Sequence, residues 1–328
     1  MSTHHASRIT HHVLVTGGAG FIGAHLVERL LADGEAVVVI DDLSTGSRDN
    51  LRGVAGHKNL RVIESTVSGC AELAELAAGA KAIYHLAAAV GVDLVVKSPL
   101  HTLHTNLHET EVILKIAADH GVPLLLTSSS EVYGKSEKAE FSETDDLLIG
   151  PPGQSRWGYA CSKLVDEFLA LAYGRERGLP VVVVRLFNTV GPRQTGRYGM
   201  VLPRFIAAAQ RGEPVKVFGD GLQSRCFCLV TDTVEALIRL QNCPAARGEV
   251  FNIGGAEEIS IRDLARRVIE TLGSKSVIES VPYAEAYAPG FDDMRRRKPN
   301  VEKLAATTGF RPATTLRDII LQTACTPV

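Results

Sequence analysis

The feature that most constrains the fold is a glycine-rich turn near the start of the chain. A short apolar run at 13–15 leads into Gly17, Gly20 and Gly23, and residues from 24 to 31 then show helical spacing of apolar side chains. Glycines spaced in this way let the backbone turn tightly and approach a pyrophosphate at the start of the helix. The pattern predicts a strand–turn–helix unit that binds a dinucleotide.

The next apolar run, at 36–40, ends in Asp41 and Asp42. An acidic residue at the end of the second strand of such a unit accepts hydrogen bonds from the adenosine ribose. Its charge also disfavours a 2′-phosphate on that ribose. We therefore predict that Asp41 selects NAD over NADP.

Further strand and helix patterns alternate along the chain. Apolar runs at 60–63, 82–88, 122–126 and 181–186 are separated by helical patterns, the longest at 100–120. This alternation is typical of an α/β protein with a parallel, doubly wound Rossmann sheet. Ligands of such sheets bind at the carboxyl ends of the strands.

A group of polar residues follows the run at 122–126. Ser129, Ser130 and Glu131 place two hydroxyl groups and one carboxyl group where a parallel strand would end. A serine-rich loop is also ordinary turn chemistry. The position at a strand end nevertheless makes this group a candidate site.

Tyr159 and Lys163 are four residues apart in a segment with helical spacing. Residues at i and i+4 share one helix face, so the phenol and the ammonium group are predicted to lie side by side. A neighbouring cation stabilises a phenolate and lowers the tyrosine pKa. The pair is therefore a candidate general base for an alcohol proton.

Composition excludes several classes of function. The 328 residues carry a formal net charge of −2, so no basic excess points to nucleic acid. No apolar run is long enough to span a bilayer, and residues 1–12 form a polar, histidine-rich segment without a secretory apolar core. The six cysteines are scattered and have no zinc spacing. We therefore expect a flexible leader at 1–12 and no membrane partner. From the cysteine pattern we expect no metal site and reduced thiols in the cytoplasm.

In combination, these motifs resemble the extended short-chain dehydrogenase/reductases, in their nucleotide-sugar branch. The resemblance covers about residues 13–312. It rests on five motifs, which are Gly17-x-x-Gly20-x-x-Gly23, Ser129-x-Glu131-Val132-Tyr133-Gly134, Tyr159-x-x-x-Lys163, Arg185-Leu186-Phe187-Asn188-x-x-Gly191-Pro192-Arg193 and Gly219-Asp220-Gly221-x-x-x-Arg225-x-Phe227.

The resemblance implies two lobes and a dimer. A NAD-binding Rossmann domain would comprise residues 13–190 plus about 224–254. A smaller nucleotide-sugar-binding lobe would comprise 191–223 plus 255–328. Members of this family typically form homodimers through a four-helix bundle, built here from the helices near 100–120 and 162–173.

Roles for single residues also follow from the resemblance. Tyr159 matches the position of the family's catalytic base, and Lys163 matches the residue that holds the nicotinamide ribose. Ser129 matches the residue whose hydroxyl group contacts the sugar oxygen. Glu131 and Arg225 complete the expected catalytic set. The implied cofactor contacts are Gly17, Gly20, Phe21, Ile22, Asp41, Thr45, Gly46, Leu86, Ala87, Ala88, Tyr159 and Lys163. The implied substrate contacts are Ser130, Asn188, Arg193, Arg225 and Arg297.

One departure from the family pattern is visible. The family usually has an aspartate that touches the adenine after the third strand, and Thr66 stands near that place. The resemblance therefore leaves the adenine contact open, while the expectation of NAD still rests on Asp41.

The reaction depends on the residues around position 131. All members of this branch oxidise the sugar at C4 with a tightly held NAD⁺ that is regenerated in each turnover. Ser130 lacks the acid that a 4,6-dehydratase needs, and Ser130-Glu131 together with Arg225 resembles the UDP-glucuronate decarboxylases. This implies a UDP-sugar substrate and a UDP-4-keto-pentose or UDP-xylose product. The alternatives are a 4-epimerase of UDP-glucose or UDP-glucuronate, and a non-catalytic protein that senses NAD.

Overall fold

The computed structural model describes residues 11–89, 98–154, 156–196, 200–282, 285 and 294–325. Most of the predicted leader lies outside these residues. Strand β1 already begins at His12, whose side chain is 1% exposed. His12 therefore belongs to the central sheet, although the sequence assigned it to the leader.

Twelve strands and nine α-helices are assigned in the described residues. The strands are β1 (His12–Thr16), β2 (Val37–Asp41), β3 (Leu60–Glu64), β4 (Ala80–His85), β5 (Leu124–Ser129), β6 (Val181–Leu186), β7 (Asn188–Val190), β8 (Val215–Phe218), β9 (Ser224–Leu229), β10 (Glu249–Ile253), β11 (Glu258–Ser260) and β12 (Ile278–Val281). The helices are α1 (Phe21–Ala32), α2 (Leu73–Gly79), α3 (Pro99–His120), α4 (Arg156–Arg177), α5 (Val201–Arg211), α6 (Val230–Gln241), α7 (Ile261–Leu272), α8 (Glu302–Thr308) and α9 (Leu316–Ala324).

The central sheet has seven strands in the order β10-β6-β5-β4-β1-β2-β3, and all neighbours pair in parallel. The prediction of a parallel Rossmann sheet is confirmed. The strand order reverses between β1 and β4, which lie side by side. In open α/β sheets, this reversal opens a crevice at the carboxyl ends of the strands, where ligands bind.

Both faces of this sheet are covered, which explains its nearly continuous apolar strands. Val13 and Val15 point to the face packed by α1 and α6, whereas Leu14 points to the face packed by α2, α3 and α4. Side chains alternate along a strand, so a strand between two helical layers buries every residue. Among the described helices, none is both long enough and apolar enough to cross a membrane.

A second group of elements builds a separate core. Strands β7, β9 and β11 form a three-stranded sheet, β8 and β12 form a two-stranded sheet, and α5, α7 and α9 pack with them. Strand β9 thus lies outside the seven-stranded sheet, although the sequence placed 224–254 in the Rossmann half. Helix α6 and strand β10 do pack with the main sheet. The domain boundaries themselves stay a prediction.

Candidate active site

A cavity of about 710 Å³ opens at the carboxyl ends of the parallel strands. Its wall includes the glycine turn, the ends of β2, β4, β5 and β6, and residues of α3 and α4. Residues of α5, β8 and β9 form the opposite wall. The cavity therefore lies between the central sheet and the second core, and all five predicted catalytic residues line it.

The glycine turn lines the cavity and has no room for Cβ atoms at two of its glycines. Gly17 has φ +72°, and a Cβ atom there would lie 2.6 Å from the backbone nitrogen of Ala87. A Cβ atom on Gly23 would lie 2.1 Å from the carbonyl oxygen of Gly17, so this glycine lets α1 pack against the turn. Gly20 lines the cavity at the start of α1. Backbone N–H groups at a helix start are suited to bind phosphate.

Asp41 occupies the place expected for a ribose contact. Its carboxylate accepts hydrogen bonds from the backbone nitrogens of Ala19 and Leu43, at 2.8 Å each, and it lines the cavity. Burial raises the pKa of Asp41, and the two backbone donors oppose that shift. A carboxylate has about four acceptor positions, so acceptor capacity remains for ribose hydroxyl groups.

The other predicted cofactor contacts divide into two groups. Phe21, Ile22, Thr45, Leu86, Ala87 and Ala88 line the cavity. Gly46 instead packs behind Asp41, because a Cβ atom there would lie 3.0 Å from Asp41 Oδ1 and from the carbonyl oxygen of Ala19. The sequence placed Gly46 on the cofactor, whereas the structure gives it a supporting position.

Ser129, Glu131 and Tyr159 meet where β5 ends beside α4. The Ser129 hydroxyl lies near the Tyr159 phenol and accepts a hydrogen bond from the backbone nitrogen of Glu131, at 3.3 Å. Burial raises the pKa of Tyr159 well above its usual value, and the Glu131 carboxylate raises it further. The Ser129 hydroxyl and the positive charge of Arg297 oppose this rise in pKa.

Lys163 forms an ion pair with a buried carboxylate on its own helix. Its ammonium group lies 3.2 Å from the carboxylate of Asp166, and both side chains are almost fully buried. Asp166 raises the pKa of Tyr159, and the net shift of that pKa is upward. Two carboxylates, Glu131 and Asp166, therefore act against a phenolate at Tyr159, and a lowering of its pKa by Lys163 stays a prediction.

A chain of buried polar contacts leads away from Lys163. Thr110 lies near Asp166 and lowers the pKa of that carboxyl group, and its hydroxyl lies 3.3 Å from Nε2 of His85. Nδ1 of His85 lies 2.7 Å from the Thr16 hydroxyl, at the end of β1. Burial lowers the pKa of His85 to about 3, so this imidazole is neutral at ordinary pH. The contacts connect the Tyr159 helix with the glycine turn.

Arg297 reaches the centre of the site from the C-terminal part of the chain. One nitrogen of its guanidinium forms an ion pair with Glu131, and another donates to Oδ1 of Asn188 at 2.7 Å. The side chains of Arg297 and Glu131 are 11% and 19% exposed. The predicted substrate residues Asn188 and Arg297 are thus brought together beside the predicted catalytic carboxylate.

The Arg225 side chain binds backbone carbonyl groups next to this cluster. Its Nη1 donates to the carbonyl oxygens of Ser224, at 2.7 Å, and Met294, at 2.8 Å. These contacts hold the segment that carries Arg297 against β9. Arg225 also lines the cavity, as the sequence predicted for a residue near the substrate.

Two further predicted substrate contacts differ in their access to the cavity, which Arg193 lines and Ser130 does not. Arg193 forms a two-nitrogen ion pair with Glu28 of α1 and donates to the carbonyl oxygen of Asn50. Its guanidinium is therefore engaged in joining the loop after β7 to the Rossmann half. Ser130 is fully buried and its Oγ has no hydrogen-bond partner. This burial argues against a substrate contact by Ser130.

The sequence missed several polar residues of the cavity. Arg204, Lys216 and Gln223 line the wall opposite the glycine turn, and the Arg204 guanidinium lies 4.4 Å from the centre of the Phe218 ring. The positive charges of Arg204, Lys216 and Arg225 make this wall basic. No motif in the sequence marks Arg204, Lys216 or Gln223 as part of a site. They lie in different segments of the chain, and only the tertiary structure brings them to the cavity. Among the described residues, there is no group of three or more histidine, cysteine or acidic side chains placed to hold a metal ion.

Comparison with known proteins gives matches over most of the chain. Residues 13–254 match the model of the NAD dependent epimerase/dehydratase family. A UDP-N-acetyl-alpha-D-glucosaminuronate decarboxylase from Bacillus cytotoxicus is 39% identical over 91% of this chain and 92% of its own length. UDP-glucuronic acid decarboxylase 1 from Xenopus tropicalis is 36% identical over 93% of this chain and 69% of its own length.

A solved structure shows the same overall fold. DesIV, a dTDP-glucose 4,6-dehydratase from Streptomyces venezuelae solved with NAD and TYD bound, aligns with a TM-score of 0.83 and 30% identity over 96% of each chain. The family match covers the sheet, the glycine turn and the Tyr159 helix described above. The chain belongs to the NAD dependent epimerase/dehydratase family.

Proposed function

We propose that this protein is an NAD-dependent UDP-glucuronic acid decarboxylase. The observation that carries the proposal is the contact of Glu131 with Arg297 beside the Tyr159–Ser129 pair. A base for the C4 hydroxyl and a carboxyl group for later proton transfer then lie in one cavity. The relatives named as decarboxylases support the reaction type.

The first step would be oxidation at C4 of the sugar. NAD, when bound, would supply a hydride acceptor at C4 and return the hydride later. Tyr159 would take the C4 hydroxyl proton, and Ser129 would hydrogen-bond the developing ketone oxygen. Lys163, buried next to Asp166, would bind the nicotinamide ribose on the same helix face as Tyr159.

The second step would be loss of CO₂. With a ketone at C4, the C6 carboxylate belongs to a β-keto acid, so the C5–C6 bond can break and its electron pair moves into an enolate. Glu131 would place the sugar for this step and take part in protonation at C5. Arg297 would hold Glu131 in position, since it ion-pairs with that carboxylate.

The cavity walls fit a nucleotide sugar at one end and a dinucleotide at the other. Arg204, Lys216 and Arg225 line the wall opposite the glycine turn, and their positive charges suit a diphosphate. Asp41 lies on the dinucleotide side. A UDP-sugar would therefore bind with its diphosphate at the basic wall and its sugar at Tyr159.

A substrate with an N-acetyl group is the second candidate. The relative at 39% identity is named for UDP-N-acetyl-glucosaminuronate, whereas the Xenopus relative at 36% is named for UDP-glucuronic acid. Both substrates have a C6 carboxylate and a C4 hydroxyl. The proposed residues would therefore act on either, and the choice would depend on the space around C2 of the sugar.

Product analysis tests this proposal. The purified protein is incubated separately with UDP-glucuronate, UDP-N-acetylglucosaminuronate and UDP-glucose, and products are identified by mass and NMR. We expect CO₂ and a UDP-pentose or UDP-4-keto-pentose from UDP-glucuronate. Formation of 4-epimers without CO₂ would replace the proposal with the epimerase alternative. Absence of any product, with bound NAD unchanged by UDP-sugars, would favour the NAD-sensing alternative.

We also propose a homodimer in which α3 and α4 pair with their copies. The side chains of Leu100, Val165 and Phe168 on these helices are 79%, 42% and 64% exposed. Large apolar side chains on neighbouring helices favour burial against a partner. Sedimentation of the protein would test this, with a monomer contradicting the proposal.

A cytoplasmic location stays a prediction from the cysteine pattern.

A further inference from the structure

Helix α3 contributes one face to the dinucleotide half of the cavity. His101, Thr105 and Glu109 follow at intervals of four residues, and all three line the cavity. Residues at this spacing share one face of a helix. None of the three was recognised as part of the site from the sequence.

Glu109 faces the loop that follows β3. Its Oε2 accepts a hydrogen bond from the backbone nitrogen of Ser68 at 2.8 Å, and its Oε1 accepts one from the Ser68 hydroxyl at 2.7 Å. The residue is 9% exposed. A carboxylate offers about four acceptor positions, so each oxygen can accept one further hydrogen bond.

The same loop lies directly beside Asp41. The backbone nitrogen of Ser65 donates to the carbonyl oxygen of Asp41 at 3.1 Å, and Asp41 is paired with Glu64 in the sheet. Ser65, Thr66 and Val67 line the cavity together with Glu109. A ribose held by Asp41 would therefore direct its attached base toward this loop and toward Glu109.

Thr66 itself is engaged in the structure of the loop. Its hydroxyl accepts a hydrogen bond from the backbone nitrogen of Gly69 at 2.9 Å and lies 3.4 Å from the Ser68 hydroxyl. The carboxylate of Glu109, by contrast, is a strong acceptor on the cavity wall. The exocyclic amino group of adenine is a donor that suits such an acceptor.

We propose that Glu109 binds the exocyclic amino group of the NAD adenine and selects adenine over bases that carry a carbonyl group at that position. The carboxylate would receive the amino hydrogen while it keeps the Ser68 loop in place. The loop after β3 has Thr66 where the family usually has an aspartate that touches the adenine. The carboxylate of Glu109 on α3 would take the place of that aspartate. The inference concerns NAD binding, so it does not depend on which sugar reaction the protein performs.

A competition experiment tests Glu109. The purified full-length protein is equilibrated with an equimolar excess of NAD⁺ and nicotinamide hypoxanthine dinucleotide, in which a carbonyl group replaces the amino group. Unbound dinucleotide is removed, and the bound ratio is measured by mass spectrometry. Hydrogen bonds to charged groups are worth about 1.5–3 kcal/mol, so we expect the wild-type protein to prefer NAD⁺ by about tenfold or more.

Glu109→Gln is the informative variant, because an amide is nearly isosteric and keeps one acceptor and one donor for Ser68. Its amide can accept from adenine or donate to hypoxanthine, so the bound ratio should approach one. Glu111→Gln, exposed on the same helix, is the matched control and should keep the wild-type ratio. Thermal unfolding of both variants checks that the helix is intact.

Two results would overturn the inference. A wild-type protein that binds both dinucleotides equally has no adenine selection to explain. A Glu109→Gln variant that retains the wild-type ratio would restrict Glu109 to holding the Ser68 loop. Neither measurement uses the sugar reaction, so failure of the proposed decarboxylation would leave this test unaffected.

Discussion

Replacement of Glu131 by glutamine should separate the two chemical steps. The change removes one negative charge and leaves the side-chain shape nearly unaltered. Arg297 keeps its 2.7 Å contact with Asn188 but loses its ion pair. The Glu131 carboxylate raises the pKa of Tyr159, whereas Arg297 lowers it. We therefore expect a lower Tyr159 pKa in this variant.

The expected effects on the two steps have opposite sign. A general base acts when it is deprotonated, so a raised Tyr159 pKa shifts the increase in oxidation rate to higher pH. The Glu131 variant should shift this increase back to lower pH. Proton transfer by one acid–base group is worth about 10²- to 10⁴-fold, so CO₂ release should fall by that factor. Such a loss corresponds to about 2.7–5.4 kcal/mol of activation free energy.

The effect on folding should be much smaller. The ion pair is partly exposed, with side chains at 11% and 19%, and the glutamine amide can still accept from Arg297. We expect a loss of about 1 kcal/mol in the free energy of unfolding. A large loss of activity with a small change in stability would then locate the effect in the chemistry.

Two signals from one sample measure the steps separately. Absorbance at 340 nm in a single turnover reports reduction of bound NAD⁺, and labelled CO₂ from carboxyl-labelled UDP-glucuronate reports decarboxylation. Glu137→Gln, an exposed residue in the loop after Tyr133, is the matched control and should leave both signals unchanged. Wild-type CO₂ release by the Glu131 variant would refute the role of this carboxylate, and an unchanged pH profile of NAD⁺ reduction would refute the electrostatic argument.

Three further changes test other parts of the site. Tyr159→Phe should bind NAD and UDP-sugar normally but lose at least tenfold in kcat, and retention of more than about a tenth of kcat would contradict its role as base. Glu167→Gln should lower the free energy of unfolding by about 3 kcal/mol in urea titrations, because it leaves the buried Arg185 guanidinium without its ion-pair partner; an unchanged unfolding midpoint would contradict this. Asp41→Ala should raise the affinity for NADP relative to NAD in binding titrations, and an unaltered ratio would exclude Asp41 as the ribose contact.

The features predicted correctly from sequence are those set by local spacing. The glycine turn, the acidic end of β2 and the i, i+4 relation of Tyr159 and Lys163 each lie within one element or between consecutive elements. The relative positions of these residues depend on backbone conformation and helix periodicity, which the sequence pattern reports directly. The parallel sheet follows for the same reason, since alternating strands and helices leave few other arrangements.

The tertiary structure decided which charges meet in the site. Arg297 contacts Glu131 across 166 positions of sequence, and Glu109 contacts Ser68 across 41. The upward shift of the Tyr159 pKa depends on burial and on nearby carboxylates, which the spacing of Tyr159 and Lys163 does not report. A pattern of residue types specifies where each element begins, but the electrostatic environment of a side chain depends on the distant segments that pack around it.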